Sequence, residues 1–404
     1  MTLTTTEQRI ADAVASRAPA LLEDLRLHVG LPTGGNNLQA LDETRERLVA
    51  RLEALGANTE LVPGDPKPEW LIGGKVAPDQ IAPTAVCRRA SESCARSVLV
   101  AGHLDTVHDP AGDFRELSIR PDGKTATGPG CVDMKGGLVI AVAALEALEE
   151  VGAPASWTFT LNADEETGTY HSERALREAA TGHDFGLALE PALAGGELAV
   201  ERVGSGQFMV ECFGRSAHVG RAFTSGVSAV NKLAECLVEI AKMPEPQRGR
   251  VFSVGPLVGG AATNAVPDHA AAWGNARFPT PVDAGEMESM LAALETADDA
   301  MPRVVVHRSF NRPAKPLTPQ TEGLALQARA AAEALGQRLP FASTGGVCDG
   351  NILQDAGLPT IDTLGVRGGG LHTPDEWIEL DSLVERCQLL AILIARLCAG
   401  GSEA

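Results

Sequence analysis

The sequence predicts an α/β fold, a mostly parallel central sheet flanked by helices, interrupted by a compact ferredoxin-like α+β insertion. Short uninterrupted apolar runs such as Val98-Leu99-Val100-Ala101 and Phe185-Gly186-Leu187-Ala188-Leu189 mark strands buried on both faces. Those runs alternate with helical segments, and strand–helix–strand–helix–strand implies a largely parallel sheet. Between 203 and 312 the rhythm changes to β-α-β-β-α-β, the ferredoxin-like order. A chain of 404 residues divides by the usual ~100–200 per domain into about two or three. The division expected is 1–202, 203–312 and 313–404, with the first and last forming one split domain and the middle a lid.

Taken in order, the first 55 residues read as helix. Thr4 and Glu7 have capping-box spacing, Ile10, Val14, Leu21, Leu22 and Leu25 recur on roughly one face, and Pro19 should kink or split the run. A second helix is expected from about Leu38 to Leu55, stopping at Gly56. Residues 63–95, rich in Pro, Gly and Ala, read as strand fragments and loop. The Val98 strand leads into Gly102-His103-Leu104-Asp105-Thr106. A helix from Met134 to Val151 follows a Gly-rich loop, with Leu138, Val142, Leu145 and Leu148 in phase. Trp157–Asn162 reads as strand, 173–180 as helix and Phe185–Leu189 as strand. In the insertion the strands are expected near 203–213, 250–258, 269–278 and 303–309, and the helices near 226–241 and 283–297. A helix at 321–335, a Gly-rich turn at 344–350, a strand at Thr360-Ile361-Asp362 and a helix at 381–398 complete the chain.

Composition narrows the function. The formal charge is −19, and a basic face for nucleic acid or an anionic membrane is not expected. Aromatics make up 4% with a single tyrosine, too few for a base-stacking platform. The eight cysteines show neither a CxxC pair nor a repeated spacing, so free thiols in a reducing compartment are expected. With no basic-then-apolar leader and no run near ~20 apolar residues, the expectation is a soluble cytoplasmic protein.

Polar residues follow the strand ends, where open α/β sheets place their sites. They are His103-Leu104-Asp105, Gly128-Pro129-Gly130-Cys131-Val132-Asp133, Asp164-Glu165-Glu166, Glu190, and Gly368-Gly369-Gly370-Leu371-His372. Converging histidines and carboxylates make a nitrogen/oxygen metal site suited to Zn²⁺, or to Mn²⁺ or Co²⁺. Two histidines and three or four carboxylates exceed what one tetrahedral zinc needs; two metals ~3.5–4 Å apart sharing a carboxylate use them fully. Each segment alone is usually a solvated loop; their order and shared position at strand ends make the case. The residues alone do not say which member of Glu165-Glu166 binds metal.

These motifs resemble the di-zinc aminoacylase and carboxypeptidase metallopeptidases, most of all the branch containing glutamate carboxypeptidase. The resemblance runs from 102–107 to 371–377 and includes the insertion. It implies a zinc-peptidase-like catalytic domain holding two Zn²⁺ per chain, with His103 and Glu190 on one, Glu166 and His372 on the other and Asp133 bridging. It further implies that Asp105 orients His103, and that Glu165 is the general base, activating a metal-bound water and returning the proton to the leaving amine. In the insertion it implies that His218 reaches a neighbouring subunit's site to stabilise the oxyanion, and that Asn264 and Arg277 bind the substrate carboxylate. The expected protein is then a homodimer joined through its lids, cleaving an amide bond to release an amino acid with a free α-carboxylate. The acyl side stays open: deacetylases, desuccinylases, carbamoylases and dipeptidases of the family share the same metal residues, and a non-catalytic metal-binding relative is the remote alternative. Arg367, five residues before His372, is a candidate contact for an acidic side chain. Cys131 is expected to pack, His108, His171 and His269 match no ligand position, and no Gly-x-Ser-x-Gly elbow is present.

Overall fold

The computed structural model describes residues 2–35 and 37–400. Its larger sheet has six strands in the order Asn58–Val62, Thr84–Arg89, Trp157–Asn162, Val98–His103, Phe185–Ala188, Thr360–Ile361. The last four are mutually parallel and the first two join antiparallel, so the sheet is parallel at its centre with an antiparallel edge. Every residue of Val98–His103 is buried. Val98 and Val100 face one hydrophobic core, while Leu99 and Ala101 face another with Leu176 and Ile352. This is the two-sided burial that an unbroken apolar run requires.

The larger core is covered by the helices Thr5–Ser16, Gly136–Val151 and Asp381–Ala399. The capping box forms: Glu7 N–H donates to Thr4 Oγ1 at 3.2 Å, and Thr4 N–H to Glu7 Oε2 at 2.7 Å. Glu7 Oε1 also accepts from Arg396 Nε at 2.6 Å, tying the first helix to the last. The helical run breaks at Arg17, two residues before Pro19, and resumes as Ala18–Val29.

Between Gly204 and Arg312 lies a second, four-stranded antiparallel sheet, ordered Val251–Gly259, His269–Phe278, Gly204–Phe213, Arg303–Arg312. The helices Ala229–Ile240 and Pro281–Ala292 cover one face around a core of their own, including Phe208, Phe252, Phe278 and Met287. Alternation along Gly204–Phe213 puts Phe208 and Val210 into that core and Ser205, Gln207 and Glu211 on the opposite face. The two helices start where Ser228 and Thr280 cap them, which shifts their bounds from those expected.

Two expectations are corrected. The helix expected from Met134 begins at Gly136, after a turn over Cys131–Lys135 in which Asp133 and Met134 have non-helical backbone angles. Gly137 lets this helix lie against the exit of the strand Phe185–Ala188, since a Cβ there would sit 2.4 Å from Leu189 O. The stretch around 344–350, expected as a turn, is bordered by the strand Phe341–Thr344, parallel to Leu198–Arg202, and the helix Asp349–Asp355. Gly345, Gly346 and Gly350 obscured both in the sequence.

Candidate active site

The acidic and histidine-bearing segments meet at one edge of the larger sheet. His103 closes the central strand, Glu165 and Glu166 follow Trp157–Asn162, and Glu190 lies two residues beyond Phe185–Ala188. Asp133 comes from the turn before Gly136–Val151. His372 follows Gly370, which has φ +70 and where a Cβ would sit 2.7 Å from Asp375 O. His372 itself has φ 63, rare for a non-glycine residue.

Two three-residue groups result, His103–Asp133–Glu190 and Asp133–Glu166–His372, each with its ligand-capable atoms within 4.8 Å of one another. The two carboxylate oxygens of Asp133 face different histidines: Oδ1 lies 3.4 Å from His103 Nε2 and Oδ2 lies 3.4 Å from His372 Nε2. His372 Nε2 is also 3.2 Å from Glu166 Oε2, and His103 Nε2 is 4.0 Å from Glu190 Oε1. His103 Nε2 and Asp133 Oδ1 are buried with no hydrogen-bond partner among the described residues. Buried polar atoms are normally paired, so two orphans facing each other among carboxylates fit a cation between them.

The charges agree. Burial, with repulsion from Glu165 and Asp133, pushes the Glu190 carboxyl well above the usual range. Burial likewise raises Glu166. Burial alone would lower His103, but Asp105 and Asp133 outweigh it and hold the imidazole well above its ordinary value. Hydrogen bonds to Asp133 and Glu166 push His372 up to about 10. Each shift follows from burial and from the crowding of carboxylates around two histidines.

Backbone contacts keep these groups in place. The Asp105 carboxylate accepts the N–H groups of Glu165 at 3.2 Å and Glu166 at 2.9 Å, and its Oδ1 lies 3.4 Å from His103 Nδ1. His103 Nδ1 also meets the Asp105 carbonyl at 3.0 Å, so Nδ1 carries a proton and Nε2 is the nitrogen that would face a bound cation. Glu376, buried, accepts from the N–H groups of Gly130, Val132 and Asp133 at 2.9 to 3.1 Å and pairs with His108. It thereby fixes the turn that carries Asp133.

A cavity of ≈ 810 Å³ opens over this cluster, walled on one side by Asp133, Glu165, Glu166, Glu190 and His372. Arg277, at the end of the inner strand His269–Phe278 of the smaller sheet, also lines it. Its guanidinium donates to Ser205 Oγ, Asn275 Oδ1 and the Ala276 carbonyl, all neutral acceptors. Burial and the nearby Arg312 lower its pKa. A half-buried guanidinium facing a cavity without a carboxylate partner is suited to receive one from a ligand.

Residues 99–396 match the family model described as Peptidase family M20/M25/M40. The chain belongs to this family. It is 26% identical over 396 residues to carboxypeptidase G2 of Pseudomonas sp. (strain RS-16), covering 96% of this chain and 92% of that protein. It is 29% identical over 331 residues to the succinyl-diaminopimelate desuccinylase of Rhodospirillum centenum (strain ATCC 51521 / SW), covering 74% of this chain and 81% of that protein. The fold is shared with an aminopeptidase of Bacillus cereus ATCC 10987, at TM-score 0.72 and 24% identity over 94% of this chain and 98% of that one. This M20 chain is a metallohydrolase.

Not every expected residue joins the M20 cavity. His218 and Asn264 sit together on an exposed ribbon, where Ala217–His218 pairs with Ala265–Val266 and Val219 N–H donates to the Asn264 carbonyl at 3.0 Å. Neither lines the cavity of its own chain. Arg367 does not face an acidic ligand: its Nε lies 2.7 Å from Glu379 and its Nη1 2.6 Å from Glu385, so its charge is already answered. Burial pushes the Cys131 thiol well up, which suits a packed neutral side chain. Sequence reasoning missed Glu376 and Arg312. Glu376 lies four residues after His372 in the same segment, a proximity that could have flagged it; Arg312 carries no such signal. No helix among the described residues is long and apolar enough to cross a membrane.

Proposed function

We propose that this M20 hydrolase binds two zinc ions and cleaves an amide bond to release an amino acid with a free α-carboxylate. The observation that carries this is the pair of ligand-capable groups sharing Asp133, whose two oxygens face His103 and His372 separately. His103 and Glu190 would hold one ion, Glu166 and His372 the other, with Asp133 between. When bound, the ions would supply Lewis acidity toward the scissile carbonyl and toward the attacking water. Glu165, on the same wall, is placed to take the proton from that water and pass it to the departing amine. Arg277, across the cavity, would hold the product-side carboxylate and so fix which amide bond lies over the metal cluster.

We read His218 and Asn264 as acting in a second copy's cavity, with the 203–312 segment as the lid and dimerisation domain between the two parts of the catalytic domain. Their exposure away from their own cavity supports this. So does the free edge of the smaller sheet: Val251–Gly259 leaves Leu257 and Val258 exposed, as an unpaired edge awaiting a partner would. The eight unpaired cysteines, all but Cys94 buried, support a reducing, cytoplasmic setting.

The test is mass-spectrometric detection of amino acid released from N-acyl amino acids, N-carbamoyl amino acids, N-succinyl amino acids and dipeptides, with zinc-loaded beside chelated protein. Chelator-sensitive release, lost in Glu165→Gln at an unchanged metal count, is the expected outcome. The preferred substrate separates a carboxypeptidase from a deacylase or desuccinylase. No release from any member, with fewer than two metals per chain, would overturn the reading.

A further inference from the structure

Glu165 is not held by its own loop alone. Arg312, the last residue of the strand Arg303–Arg312, reaches it with both terminal nitrogens: Nη1 donates to Glu165 Oε1 at 2.8 Å and Nη2 to the Glu165 carbonyl at 2.8 Å. The Arg312 side chain is 4% exposed. Behind it, Nη2 also meets Thr169 Oγ1, Thr169 donates to Asp349 Oδ1 at 2.8 Å, and Asn162 Nδ2 donates to Asp349 Oδ2 at 2.8 Å. The guanidinium is thus fixed from the rear by a buried polar network and grips one glutamate at both its side chain and its main chain.

We propose that Arg312 is a positioning residue that sets the orientation of the Glu165 carboxylate; the inference rests on the reading of Glu165 as general base. A glutamate at a loop tip has three soft torsions, and a misplacement of ~1 Å can cost on the order of 10²-fold in rate. A planar fork can hold a side-chain oxygen and a carbonyl oxygen of one residue together, whereas a lysine supplies a point charge. Register adds a second meaning. Arg277 and Arg312 both lie opposite Ser205, one on each neighbouring strand, so they form a row across the smaller sheet at one end of its strands. One guanidinium faces the cavity without a carboxylate and the other is committed to Glu165. The element that would seat the substrate's carboxylate therefore also aims the base.

The test is a double-mutant cycle on the metal-loaded protein with a substrate that the wild type hydrolyses. Arg312→Met should lower kcat by ~100-fold while KM moves by no more than about threefold, and Arg312→Lys should recover about tenfold of that loss. In a Glu165→Gln background, followed over long incubations, the same Arg312→Met change should cost less than about threefold. Metal count and melting temperature are measured for each variant; if the methionine variant does not fold, Arg312→Lys carries the comparison. A raised KM with kcat retained would mean that Arg312 binds substrate, and a loss undiminished by Glu165→Gln would mean that it acts on something else; either overturns the proposal. An active wild type with an unaffected Arg312→Lys and Arg312→Met overturns this assignment alone. A wild type inactive on the whole panel overturns the functional reading and this assignment with it.

Discussion

The two walls of the cavity carry opposite charges. On the larger sheet's edge, Asp133, Glu166 and Glu190 crowd two histidines, and burial and mutual repulsion raise two of the three carboxyls. On the smaller sheet, Arg277 makes its hydrogen bonds, among the described residues, to neutral oxygens. Elsewhere in the same region a buried carboxylate is fully answered: Asp362, fully buried, lies 2.7 Å from Arg202 and 3.2 Å from Lys315. The contrast separates a charge that maintains the fold from one that awaits a ligand. Under the proposed function the first wall would hold cations and the second an anion, so that an amide bearing a nearby carboxylate would answer the second while its carbonyl lay over the first.

The largest effect is expected from breaking the first wall. Asp133→Ala removes the one carboxylate shared by both groups. The metal count should fall from two per chain to one or none, and kcat/KM by roughly 10⁴-fold or more. Elemental analysis beside steady-state kinetics checks it; two retained ions with near-normal turnover would remove the shared ligand from the scheme.

Asp362→Asn tests the balanced charge. Burial opposes ionisation of Asp362, but Arg202 and Lys315 outweigh it and hold the carboxyl below its usual value. The folded pKa is below the unfolded one, so this stabilisation is present above the ordinary carboxylate range and fades as pH falls toward the folded value. The variant leaves two buried cations against no carboxylate and should lose about 3–5 kcal/mol of stability near neutral pH. Denaturant unfolding measures the loss, and a change under about 1 kcal/mol would mean that the pair is not closed as described.

The second wall is broken by Arg277→Met. Its acceptors are neutral oxygens, so no charged partner is stranded, and stability should change little. A charge-assisted contact to substrate lost at about 1.5–3 kcal/mol corresponds to roughly 10- to 150-fold in KM. Product inhibition by the released amino acid should weaken in parallel. An unchanged KM would assign the carboxylate to another group.

Much of this was legible in the sequence, and the boundary falls at a physical line. Buried strands announce themselves because both faces must be apolar, so Val98–His103 and Trp157–Asn162 were visible, as were the strand-end acids beyond them. The capping box at Thr4 and Glu7 and the break near Pro19 follow from local chemistry and were equally plain. Contacts made across the chain were not. Arg312 meets Glu165 across 147 positions and Glu376 meets Val132 across 244, and no periodicity records either. The assignment of Glu166 rather than Glu165 to the metal group came from the resemblance alone; the geometry places Glu166 with His372, while Glu165 turns to Arg312.

The smallest effect comes from a second buried histidine that lacks the first wall's carboxylates. His28, in the helix Ala18–Val29, is as buried as His103 and likewise has an unpartnered nitrogen, Nδ1. Its neighbours are cations. Burial first, then Lys135, Arg51 and Arg47, push it down to about 4, whereas carboxylates raise His103. An orphaned imidazole among acids therefore marks a place for a metal, and one among bases marks a neutral core residue. Because the folded pKa of His28 is depressed, its native form stays neutral while the unfolded chain takes up a proton below about 6.5. Its contribution is present above that value and is lost as pH falls toward about 4. Between pH 7 and 5.5 the loss amounts to about 1 kcal/mol. His28→Gln should flatten the pH dependence of unfolding by that amount in this window, measured against metal-loaded wild type so that acid release of the ions is common to both. If the two curves run parallel, His28 is protonated in the native state and the contrast with His103 fails.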